Sequence, residues 1–66
     1  MFDILTPVNS RAIAAVGYDG QTLAVVFTTS DTIYYHHGVP YLVYAGLMQA
    51  ASMGAYYNHY IRGKYR

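Results

Sequence analysis

The sequence has no cysteine and no glutamate, and only seven of its 66 residues are charged, four cationic and three anionic. Without cysteine there is no disulfide framework and no thiolate metal site, so the usual staples of a tiny secreted domain are missing. A reducing, cytoplasmic location is the expectation. Without glutamate the only carboxylates are Asp3, Asp19 and Asp31, each in or beside an expected turn or terminus. A buried acid or base with a shifted pKa therefore has few candidates, and catalysis by one chain is not expected. Residues Met1 to Pro7 carry Asp3 and lack both the basic start and the apolar run of a signal peptide. No stretch approaches the roughly 18 uninterrupted apolar residues of a membrane span, so no membrane partner is expected.

What is present is apolar and aromatic. Hydrophobic residues make up 55% of the chain and tyrosine alone occurs nine times. A chain this short forms one domain with one thin core, hiding only about 60% of the surface it exposes when unfolded. The apolar supply exceeds that core, which predicts self-association, most simply as a symmetric homodimer. Charge is also unevenly spread. Residues 1–51 hold Asp3, Asp19 and Asp31 against Arg11, a net of −2, whereas residues 52–66 hold Arg62, Lys64 and Arg66, a net of +3. Three cations at a helix end suit the negative end of its dipole, and they also suit a phosphate.

Periodicity divides the chain near Pro40. Ile13 to Tyr18 is β-branched and small, and Asp19-Gly20 signals a two-residue hairpin turn. Leu23, Val25 and Phe27 alternate with Ala24, Val26 and Thr28 at period two. A polar turn over 28–31 leads into Thr32 to His37, again β-branched and aromatic. Three such strands within 12–37 predict an antiparallel meander. Pro40 suits the first position of a helix over about 40–50, whose Val43, Leu47 and Ala51 form an apolar stripe with Tyr44 and Met48 beside it. Ser52 is placed to cap a second helix over about 53–62, with Tyr56, Tyr57, Tyr60 and Ile61 on one face, and Gly63 is a natural stop. The two helices cover one face of the sheet, an α+β architecture of order βββαα.

These residues resemble the KTSC domain family. The pattern runs in order through Val8-Asn9-Ser10-Arg11-Ala12-Ile13, Gly17-Tyr18-Asp19, Leu23-x-Val25-x-Phe27, Tyr34-x-His36, Gly38-Val39-Pro40, Tyr44 and Leu47. It ends in Ala51-Ser52-x-Gly54-x-Tyr56-Tyr57-Asn58-x-x-Ile61-Arg62 and Tyr65, so the resemblance covers about residues 7–65. The family takes its name from the C-terminus of some lysyl-tRNA synthetases and also occurs as stand-alone small proteins. The resemblance implies a non-catalytic module with RNA as the expected ligand. Two features depart from the pattern: Tyr34-x-His36 stands where the family has Tyr-x-Tyr, and the turn after Phe27 is one residue longer.

On a strand, Tyr34 and His36 share one side and Tyr35 and His37 the other. A pair looking away from the helices presents flat rings for a base, or for a neighbouring subunit. The expected ligand-binding set is Tyr34, His36, Asn58, Arg62, Lys64 and Arg66, rings for stacking and cations for phosphate. No cofactor and no metal is expected, because His36 and His37 diverge, His59 lies on a distant helix, and no cysteine or glutamate completes a site. The modest isoelectric point of about 8.0 limits any nucleic-acid contact to a short single strand or a small nucleotide. The alternative is a protein-interaction module, such as a bacterial or bacteriophage inhibitor or adaptor, that uses the tyrosine-rich surface as a homo-oligomer.

Overall fold

The computed structural model describes residues 5–30 and 32–65, which form four strands and two helices. Strand β1 is Thr6–Pro7, β2 Ile13–Tyr18, β3 Leu23–Phe27 and β4 Ile33–His36, and all neighbours pair antiparallel in the order β1-β2-β3-β4. The meander thus has four strands where three were expected. Two residues are too few to show a period, and Pro7 is tolerated because β1 is an edge strand.

The first hairpin also differs from expectation. Tyr18 pairs with Leu23 around a four-residue loop, and only Gly20 has a positive φ, 102°. Asp19 instead accepts hydrogen bonds from the Gln21 and Thr22 N–H groups at 3.0 and 2.7 Å, so its carboxylate organises the turn.

Helix α1 spans Tyr41–Gln49 and α2 spans Met53–Tyr60. Pro40 is the N-cap and not the first helical residue. Its φ of −67° is helix-compatible but its ψ of 152° is extended, and its carbonyl accepts from Val43 and Tyr44. Ser52 caps α2 as expected, its hydroxyl oxygen accepting from the Ala55 N–H at 3.3 Å. The chain leaves α2 by Ile61 and turns at Gly63, where φ is +77°.

Inward residues of β2 and β3, namely Ile13, Val16, Leu23 and Val25, pack with Val39, Leu47, Met53, Tyr57 and Ile61 into one core. An irregularity between Ile13 and Ala15 resets the register so that both Ile13 and Val16 face inward. Tyr18 ties the two layers together: its ring stacks on Tyr44 at 4.4 Å, and its hydroxyl donates to the Val39 carbonyl at 2.6 Å. On α2, Tyr57 and Ile61 are buried and Tyr56 is partly buried. Tyr60, expected with them, is 56% exposed and lies over Tyr56 with ring centroids 4.6 Å apart.

A candidate aromatic and cationic cleft

Strand β4 pairs with β3 so that Val25 faces Tyr34 and Leu23 faces His36. Tyr34 and His36 therefore share a face, as the alternation requires, but it is the face that α2 covers. His36 is buried at 9% exposure, whereas Tyr34, nearer the open end of the sheet, keeps 44%. The expectation that both rings lie open for stacking is corrected for His36, because Tyr57 and the C-terminal turn close over it.

The imidazole is held at both nitrogens. Nδ1 faces the Tyr65 carbonyl at 3.1 Å and Nε2 faces the Tyr57 hydroxyl at 2.9 Å. A carbonyl only accepts, so Nδ1 carries a proton, and in the neutral ring the Tyr57 O–H donates to Nε2. Burial raises the pKa of Tyr57, opposed by the Arg62 charge and supported by Tyr34. His36 is thus a positioning element for Tyr57.

Outside this pair lies a cleft of about 320 Å³ between the β3–β4 turn and α2. Phe27 and Tyr57 meet edge-on at 5.1 Å, and Phe27 meets Tyr34 edge-on at 5.5 Å, so three aromatic rings adjoin along the cleft. Thr29 and Ser30 of the turn, with Asn58 and Arg62, supply its polar lining. Three anticipated residues, Tyr34, Asn58 and Arg62, therefore come together from elements far apart in sequence. Lys64 is exposed one residue past Gly63 and does not line the cleft. Arg66 lies outside the described residues.

Phe27, Thr29, Ser30 and Tyr57 were not anticipated. Phe27 was visible only as one of the alternating apolar positions of β3, and Tyr57 only as a residue on the apolar face of α2. A larger cavity of about 550 Å³ lies where the β1–β2 loop meets the turn between the helices. Asn9, Ser10, Arg11 and Ser52 give it a polar lining, but it gathers none of the anticipated residues and no aromatic ring, so it lacks the ring surface that the cleft sets beside its polar groups. Among the described residues no group of three metal-ligating side chains forms, and no helix is long and apolar enough to cross a membrane.

The KTSC domain profile matches residues 9–65, a span that includes both walls of the cleft. The chain belongs to the KTSC domain family. A KTSC domain protein from Yersinia pestis, known by crystal structure, is 31% identical to it, with a TM-score of 0.88 over 96% of this chain and 90% of that one. A protein from Tsukamurella paurometabola is 39% identical over 64 residues, 94% of either chain. This KTSC domain thus shares its α+β fold with the Yersinia protein over almost its whole length.

Proposed function

We propose that this KTSC domain is a non-catalytic binding module whose cleft takes a ring-bearing phosphorylated ligand, a mononucleotide or the free end of a single RNA strand. The observation that carries this reading is the convergence of Tyr34, Asn58 and Arg62 on one cleft beside Phe27 and Tyr57. A half-exposed tyrosine ring offers a stacking surface for a base. The Asn58 amide offers both a donor and an acceptor for a base edge, and the Arg62 guanidinium offers a planar fork for phosphate. Lys64 follows Arg62 by two residues and continues the cationic run outward.

The cleft volume, at the lower end of the range for small-molecule pockets, suits one nucleotide. Low overall charge supports the same limit, because a chain with a net charge of +1 neutralises few phosphates. The carboxylate of Asp19 is committed to its turn, and no carboxylate is among the described residues that line the cleft.

The test is a titration of the salt-washed protein with mononucleotides and with short single-stranded RNA, followed by tyrosine fluorescence. The expected result is saturable binding with a dissociation constant in roughly the micromolar to millimolar range, as for few phosphate contacts. Mononucleotide binding equal to that of the oligomer identifies a nucleotide site, and a gain with strand length identifies an RNA end. Absence of saturation by either at low salt rejects the reading.

A further inference from the structure

Among the described residues His36 is the one buried histidine, and histidine is the side chain that ordinarily changes charge between about pH 5 and 8. Its two partners differ in what they allow. The Tyr65 carbonyl only accepts, so Nδ1 holds a proton in either state of the ring. The Tyr57 hydroxyl both donates and accepts, so its 2.9 Å contact with Nε2 survives protonation with the direction reversed. In the neutral ring the phenol donates to Nε2; in the imidazolium Nε2–H donates to the phenol oxygen. No second hydrogen bond engages the Tyr57 hydroxyl among the described residues. Charging the ring in the free protein therefore leaves the phenol proton without a protein acceptor.

Charge acts in the same direction. Arg62 lines the same cleft as Tyr57, and its positive charge is felt at the Tyr57 hydroxyl. A further positive charge on an imidazole 2.9 Å beyond that hydroxyl is disfavoured while Arg62 faces no anion. The described groups around the ring supply no counter-charge. Tyr34 shares its face of β4, Tyr65 and the exposed Lys64 belong to the C-terminal turn, and β3 presents Leu23 and Phe27, which do not ionise. His37 lies on the opposite face, its Nδ1 3.1 Å from the Thr22 hydroxyl. Asp19 is held in the β2–β3 turn by the Gln21 and Thr22 N–H groups.

We infer that His36 is a proton switch for the cleft: an anionic ligand paired with Arg62 draws a proton onto the imidazole, and the charged ring in turn holds that ligand more tightly. This regulation rests on the phosphorylated ligand proposed above. A phosphate on Arg62 cancels the charge that opposes the imidazolium. A ligand oxygen in the cleft, of which Tyr57 is a wall, also offers the phenol proton the acceptor that the free protein lacks. The complex thus binds more protons than the free protein, and by linkage affinity rises as the pH falls.

The experiment is calorimetric titration with the dinucleotide uridylyl-uridine, whose single phosphodiester keeps one negative charge throughout. It runs from about pH 8 to about pH 5.5, the range in which histidine changes charge, at constant ionic strength. Near-ultraviolet circular dichroism at each pH confines the comparison to folded protein. The wild type is measured beside a His37→Gln, His59→Gln double variant, in which His36 is the remaining histidine. In both proteins affinity is expected to rise by roughly 5-fold or more toward acid. Buffers of different ionisation enthalpy are expected to reveal uptake of a fraction of one proton per ligand. Binding that is equally strong at every pH, or a pH dependence that disappears in the double variant, overturns the switch and leaves the ligand of the cleft as proposed. Absence of saturable binding of the dinucleotide at every pH overturns it as well, and the mononucleotide titration above then decides whether the ligand proposal falls with it.

Discussion

The Tyr57 hydroxyl and His36 Nε2 stand 2.9 Å apart inside the protein, and this contact joins the cleft wall to the strand beneath it. Through His36 Nδ1 the same ring reaches the Tyr65 carbonyl, so strand, helix and C-terminal turn meet at one side chain.

Breaking that contact from one side leaves a buried polar atom unpaired. Tyr57→Phe is expected to destabilise the fold by about 1–3 kcal/mol, the cost of an unsatisfied buried acceptor. In a double-mutant cycle with His36→Ala the two changes are expected to couple by about 0.5–3 kcal/mol. Urea denaturation of the four proteins measures it, and additive effects would show that the pair contributes nothing beyond packing.

Binding is expected to divide between rings and charge. Tyr34→Ala weakens a nucleotide by about 1–3 kcal/mol through lost stacking, with little change in salt dependence. Arg62→Ala weakens it and flattens the salt dependence, because one fewer phosphate contact releases fewer counter-ions. Titrations at two ionic strengths separate these effects; equal slopes for parent and Arg62→Ala would remove Arg62 from the site.

Gly46→Ala is expected to change sign with its neighbour. In the parent the new methyl group collides with the Tyr56 ring and destabilises despite the better helix propensity of alanine. In a Tyr56→Ala background the collision is gone, and the same substitution stabilises by about 1 kcal/mol. Thermal melts of the four combinations decide it, and the same sign in both backgrounds would mean the ring yields freely.

Asp19 is expected to give the fold an acid-sensitive component. Hydrogen bonds from the Thr22 and Gln21 N–H groups hold its pKa below the ordinary carboxylate value. A depressed folded pKa favours the folded state above the unfolded value, about 3.9, and that contribution is lost as the pH falls through the folded value. Urea midpoints measured from neutral pH downward should therefore fall more steeply below about pH 4 in the parent than in Asp19→Asn. Parallel curves would show that the turn gains nothing from the charge.

Ser52→Ala tests the start of α2, and a loss of about 1 kcal/mol is expected from the missing cap. An unchanged denaturation midpoint would mean that water replaces the hydroxyl at no cost.

How much of this was readable in the chain depends on the range of each signal. The alternation of Leu23, Val25 and Phe27 with Ala24 and Val26, the Ser52 cap and the Gly63 stop are local, and the structure carries all three, but alternation left open which set of β3 faces the helices. Strand β1 was not readable, since Thr6–Pro7 is held by its pairing with Val16 and Ala15 and not by any pattern of its own. The alternation of β4 places Tyr34 with His36 but cannot say which face α2 covers, and so the burial of His36 was invisible. Asn58 and Arg62 stood out by chemistry, whereas Phe27 and Tyr57 resemble any other core ring until β3 and α2 are set side by side.

The sheet order β1-β2-β3-β4 bears on how quickly the chain finds this arrangement. Every strand pairs only with the strands next to it in sequence, through short turns, and the two helices are likewise consecutive. Few long loops need closing before the strand pairs form, so the search is short for a protein built on a four-stranded sheet. Refolding from urea is expected to be a single fast exponential, complete within milliseconds, as for small domains of low contact order.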